Sequence, residues 1–166
     1  QQMSVFQQPQ LHMIGHLQQN KAKMAVLHFD MIEPVDSWRL AQALDRYCEI
    51  GQKTMSVLVE INSGREATKT GVLPNEVDRL IVQMSALKYL RVQGLMTMGP
   101  RFGNPEDSRP YYRATRESFE RLSASNLPNV NMRYLSMGMS NSYRIAIEEG
   151  ANIIRIGSQL FGERHS

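Results

Sequence analysis

The chain has one cysteine, Cys48, in 166 residues, which excludes an internal disulfide and a zinc site built on thiolates. Cys48 falls in a predicted helix, where a small buried or half-buried side chain is expected. No apolar run is long enough to span a bilayer, and the start at Gln1-Gln2 shows no initiator Met, basic n-region or apolar h-region. An intracellular, cytoplasmic protein with no membrane partner is therefore expected. Clustered positive charge is also missing. The net charge of +3 and the pI near 9.2 admit an anionic ligand, but without a basic stripe or interleaved aromatics nucleic acid ranks last among partners. Hairpin dipeptides such as Asn-Gly and Asp-Gly, a Walker loop, a dinucleotide fingerprint, a Ser-His-Asp arrangement and a fixed-period repeat are all lacking.

What is present suits one ordinary domain, since 42% of the residues are hydrophobic. Residues 1–10 hold five glutamines without periodicity and are expected to be a leader, disordered or displaced. From residue 11 onward, short apolar runs alternate with helical patterns. Strands are expected over 11–14, 31–35, 55–61, 90–98, 132–135 and 152–154. Between them lie helices: one carrying Lys21, Lys23, Met24 and Leu27, then one N-capped by Asp36 with Trp38, Ala41, Leu44 and Cys48 inward. The next follows Pro74, placed in its first turn, with Val77, Leu80, Ile81 and Met84 at i, i+3, i+4, i+7. The polar segment 99–110 reads as a loop with lid character. Tyr112, Thr115, Phe119 and Leu122 then mark one helix face, and a last helix over 143–149 closes at Gly150. Such alternation argues for βα units and a parallel sheet with its ligand at the carboxyl ends of the strands. Periodicity leaves an open doubly wound sheet and part of a barrel equally open.

Three groups could carry chemistry. The first joins Ser136-Met137-Gly138-Met139-Ser140 to Arg155-Ile156-Gly157-Ser158 as two small-residue turns at neighbouring strand ends. Their backbone N–H groups, hydroxyls and guanidinium suit a phosphate dianion, with the helix starting near Ser140 adding its positive end. Two ordinary turns with a surface arginine explain the same residues. The second is His12, Gly15, His16, Gln18, Asn20 and Lys21. The histidines are four apart, but a glycine follows a strand between them and no acidic residue is near in sequence, so one packed and one rim histidine is the expectation, with no metal. The third is Asn62, Glu66, Lys69 and Gly71, either a rim loop or a solvated connection.

The blocks His12-Met13-Ile14-Gly15-His16-Leu17-Gln18 with Asn20-Lys21, Ile61-Asn62 with Glu66, Lys69 and Gly71, Gly94-Leu95-Met96, Ser136-Met137-Gly138-Met139-Ser140, and Arg155-Ile156-Gly157 with Phe161-Gly162 together resemble the pyridoxal phosphate homeostasis family, also called YggS or PROSC, over residues 11–164. The resemblance implies a (β/α)8 TIM barrel of the alanine-racemase N-terminal type. It implies binding of pyridoxal 5′-phosphate, which such proteins sequester and pass on to apoenzymes without turnover. It maps Ser136, Met137, Gly138, Met139, Ser140, Arg155, Gly157 and Ser158 onto the phosphate-binding turns, and Met96 and Gly15 onto the ring side. It also implies a Schiff-base lysine and a Gly-Glu-Asn segment upstream of residue 1. Since a barrel takes at least about 200 residues, the expectation is a barrel lacking its first two strands, with residues 11–166 as one partial domain. The full-length protein is expected to be a monomer and the shortened chain to self-associate. Ser142 stands where relatives carry aspartate, which implies a differently capped helix, and Gln19 replaces a small hydroxyl residue. A racemase or decarboxylase on the same barrel, or an interaction protein responsive to the cofactor, are the alternatives.

Overall fold

A computed structural model describes residues 9–66, 69–100 and 103–162. Of the leader expected over 1–10, residues 1–8 lie outside the described part. The elements in order are β1 (His12–Met13), a 3-10 turn (Gln19–Lys21), α1 (Ala22–His28), β2 (Met31–Val35), α2 (Trp38–Ile50), β3 (Met55–Ile61), α3 (Val77–Met84) and β4 (Leu90–Thr97). A second 3-10 turn (Pro105–Ser108) leads into α4 (Arg109–Ser123), followed by β5 (Val130–Met139), α5 (Tyr143–Glu148), β6 (Ile153–Arg155) and α6 (Ser158–Phe161).

All five strand pairs are parallel, and the order across the sheet is the order along the chain. Parallel neighbours need a crossover, and helices α1 to α5 supply them. The sheet curls. On a flat sheet β2 and β5 would be about 14 Å apart, three strand spacings, yet Ser136 Oγ on β5 donates to Glu33 Oε2 on β2 at 2.6 Å. A curled, all-parallel arc of six strands with helices outside is the expected barrel type, incomplete among the described residues.

Curling gives the sheet two unlike faces. Outward, Val57, Val59, Ile61, Leu95 and Met137 are buried beneath Leu44, Cys48, Leu80, Ile81, Tyr112 and Ala146. Burial there pushes the Cys48 thiol up to about 11. Inward, Met31, Leu58 and Met96 form a small apolar floor with Met98 and Tyr134 against it.

Several local expectations need correction. The cap of α2 is Ser37, not Asp36: its extended backbone lets Oγ accept the Leu40 N–H at 3.4 Å. Pro74 lies ahead of α3, whose cap is Glu76. Segment 99–110 is not loop throughout, because Asn104 caps the turn at Pro105–Ser108 and α4 then takes Pro110 into its first turn. Most relevant to the site, β5 continues through Ser136 to Met139, so the chain turns only at residues 140–142 and α5 begins at Tyr143. No helix among the described residues is long and apolar enough to cross a membrane.

Candidate functional site

The register across the sheet defines a layer at the strand carboxyl ends. Glu60 pairs with Met96 on the neighbouring strand, Met96 with Ser136, and Met139 with Arg155. Partners in register share a face, so Glu60, Met96 and Ser136 all point into the curl. Glu33 joins them from β2 and is 1% exposed.

Arg155 organises this layer. Its Nη1 donates to Ser136 Oγ at 2.6 Å, and its Nη2 donates to the Thr97 carbonyl at 2.8 Å and lies 3.3 Å from Met98 Sδ. Ser136 Oγ in turn donates a hydrogen bond to Glu33 Oε2 at 2.6 Å, while His12 Nδ1 sits 2.9 Å from Glu33 Oε1. A chain of polar contacts thus runs His12, Glu33, Ser136, Arg155 across four strands. Burial holds the Arg155 guanidinium below its ordinary range, opposed by the charge of Glu33. The strands bring these residue types together because Glu33, Glu60 and Ser136 occupy inward positions near their carboxyl ends, whereas Val59, Ile61, Leu95 and Met137 face outward.

Two buried side-chain atoms among the described residues lack a hydrogen-bond partner, and both belong to this layer: Arg155 Nε and Glu60 Oε2. Glu60 is 4% exposed, its Oε1 accepts from Thr70 Oγ1 at 2.9 Å, and burial holds its carboxyl above the usual range. Orphaned buried polar atoms are rare and call for an explanation.

Above the layer, Ser140 Oγ accepts the Gly157 N–H at 3.2 Å, so the ends of β5 and β6 are tied together. A Cβ added at Gly157 would meet nothing within 4 Å, and Ser158 is exposed beside it. The space over this turn is open, with two hydroxyls at its edge. Gly138 serves differently: at φ +90, a Cβ there would come within 2.6 Å of Ala146 Cβ, so this glycine lets α5 pack on β5. Met137 turns its side chain outward into the helices, leaving only its backbone available to a ligand. Met139 is half-buried on the last residue of β5, Met96 is buried on the inner floor, and Gly15 stands in open surroundings after β1. Ser142 does not cap α5 with its side chain. Its Oγ instead contacts the Tyr112 hydroxyl at 2.7 Å and accepts the Met139 N–H at 3.4 Å.

Of the remaining candidates, His12 joins this layer through Glu33. His12 is half-buried and His16 exposed; each faces its own carboxylate, Glu33 at 2.9 Å and Asp36 at 3.9 Å. Those acids come from β2 and the turn after it, close in space though remote in sequence. No group of three metal-ligating residues occurs among the described residues. Gln18, Asn20 and Lys21 lie at the turn that starts α1. Asn62 clamps the rim loop: Nδ2 donates to the Glu66 and Lys69 carbonyls at 2.8 and 3.3 Å, while Oδ1 accepts the Glu66 N–H. Lys69 Nζ reaches Glu66 Oε1 at 2.6 Å and the Gly99 carbonyl at 3.3 Å, and Gly71, at φ +108, packs on residues 61–62. Sequence reasoning missed Glu33, Glu60 and Met98. Glu60 did leave a signal, as a lone acid inside the apolar run 55–61.

A family model described as alanine racemase, N-terminal domain, matches residues 2–165. The pyridoxal phosphate homeostasis protein of Aquifex aeolicus is 42% identical over 153 residues, which cover 92% of this chain and 66% of that protein. The chain thus spans just under two thirds of that relative's length. PipY of Synechococcus elongatus, solved with pyridoxal phosphate bound, superposes with a TM-score of 0.83 at 32% identity, over 95% of this chain and 72% of PipY. Alanine racemase from Clostridium difficile superposes at 0.72 with 19% identity, over 93% of this chain and 40% of that one, a likeness of fold alone.

Proposed function

Because this chain belongs to the pyridoxal phosphate homeostasis family, on the alanine racemase N-terminal fold, we propose that the protein binds pyridoxal 5′-phosphate, keeps it sequestered and passes it to apoenzymes in the cytoplasm without turnover of its own. The observation that carries this reading is the unpaired, buried Nε of Arg155, a residue two positions before Gly157 and its open surroundings. A guanidinium with a free N–H, next to hydroxyls and a turn without a Cβ, suits a ligand rich in acceptor oxygens. In this reading residues 11–166 act as one cofactor-binding unit. Ser140, Gly157 and Ser158 take the phosphate, aided by backbone groups of Met137, Gly138 and Met139. Ser136 and Arg155 form the floor of the cradle, and Met96 and Gly15 lie on the ring side. When bound, the cofactor supplies an aldehyde reactive toward amines, and the chain's part is to hold the phosphate and exclude competing nucleophiles.

The test is a titration of the protein with pyridoxal phosphate followed by absorbance, with inorganic phosphate as competitor. Competition is expected, and Gly157→Leu, which fills the open space, should weaken binding by about tenfold or more with an unchanged thermal midpoint. Binding indifferent to both phosphate and Gly157→Leu would refute the reading.

A further inference from the structure

We infer that Glu60 contacts the ligand directly, its free Oε2 accepting a hydrogen bond from a protonated nitrogen of a phosphorylated ligand. This rests on the cradle proposed above and extends it into the layer beneath. Glu60 is not part of that cradle: it stands on β3, three strands from Arg155, about 14 Å along the sheet before the curl and the side chains close the gap. Between them on the inner face lie Met96 and Ser136, an apolar surface beside a hydroxyl already committed to Glu33 and Arg155.

The polar accounting of the layer shows what is missing. Glu33 has both oxygens occupied, by His12 and Ser136. Arg155 has both terminal nitrogens occupied. What remains is one donor on the β6 side and one acceptor on the β3 side, the two orphaned buried side-chain atoms among the described residues. A ligand lying over Met96 satisfies both only if it presents an acceptor toward β6 and a donor toward β3. Charge selects the donor further. The layer holds two buried carboxylates, Glu33 and Glu60, against the single guanidinium of Arg155, with Asp36 adding negative charge and His16 facing it from the β1 side. A cationic N–H supplies both the proton and the missing positive charge, whereas a carbonyl or ether oxygen would set two acceptors against each other.

A protonated nitrogen on such a ligand has two sources, the pyridine ring and a primary ammonium, and two probes distinguish them. Pyridoxine 5′-phosphate carries only the ring nitrogen, while pyridoxamine 5′-phosphate carries both. Calorimetric titrations of wild type and Glu60→Gln with each probe, near neutral pH, form the experiment. The substitution keeps an acceptor for Thr70 and removes a buried charge, so folding is retained, which the thermal midpoint checks. A loss of about tenfold for both probes alike supports Glu60 as partner of the ring nitrogen. The same loss for pyridoxamine 5′-phosphate alone supports the ammonium. Equal affinities in wild type and variant for both probes overturn the inference while leaving the cradle standing, and show that Oε2 is satisfied by water. Failure of both probes to bind wild type overturns the cradle itself.

Discussion

The two faces of the same curled sheet obey different rules. Outside, apolar side chains dominate: Val57, Val59, Ile61, Leu95 and Met137 pack on helices whose own inward residues recur at 3.6-residue spacing, and the polar side chain beside them, Thr97, is hydrogen-bonded to the Ile61 carbonyl and to Ser63. Inside, at the same strand ends, Glu33, Glu60, Ser136 and Arg155 replace apolar side chains, and two of their atoms are left without partners. The outer face lowers the free energy of the fold, while the inner face spends part of that stability to keep polar groups poised. Adjacent residues of one strand belong to opposite regimes, as Val59 and Glu60 do.

The comparison breaks most visibly on the outer face. Ile81→Ala, in the centre of α3 and fully buried, should cost about 2–5 kcal/mol by cavity formation, read as a drop in the chemical denaturation midpoint. On the inner face Glu33→Ala should cost about 3 kcal/mol, because Arg155 and Ser136 lose their buried acceptor. Glu33→Gln, which retains an acceptor, should cost less than half as much. If Glu33→Ala were neutral in denaturant, the inner network would have no structural role.

Glu60 sharpens the contrast through pH. Its carboxyl titrates near 4.5 when unfolded and higher when folded, so between those values the folded state binds the additional proton. Stability attributable to this residue therefore falls as pH rises from about 4.5 through the raised value, and stays low above it. Glu60→Gln should flatten that limb and raise stability at neutral pH; parallel profiles for the two proteins would show the buried carboxyl to be compensated. The smallest effect belongs to neither face. Arg121 and Asp78 form an exposed ion pair between α4 and α3 at 2.8 Å, and Arg121→Ala should cost less than about 1 kcal/mol, diminishing in salt.

Much of the outer face was legible in the linear pattern. Val77, Leu80, Ile81 and Met84 appeared as a helical stripe and are all buried, and Met55–Ile61 read as a strand from end to end. Local chemistry was read less well. Asp36 and Ser37 both have oxygens suited to a helix cap, and only the backbone angle at Ser37 decides between them. The Ser-Met-Gly-Met block looked like a turn because glycine and serine usually mark one, yet its backbone stays in the sheet to Met139 and the positive φ of Gly138 serves packing against α5. The pairing of Ser140 with Gly157 lay within the expected cradle, but Glu33 had no motif to mark it, standing as one acid before Pro34 in a brief strand.

By itself the sequence determined the alternation of strand and helix, hence a parallel sheet, and it placed serines, glycines and an arginine of the candidate site at the strand carboxyl ends. Period-two and period-3.6 patterns are local properties, so they survive being read along a line. Only the tertiary structure decided which inward side chains meet. Glu33 and Ser136 are 103 positions apart and on strands that never pair; register sets their height and curvature closes the distance, and neither quantity is written in any single segment of the chain.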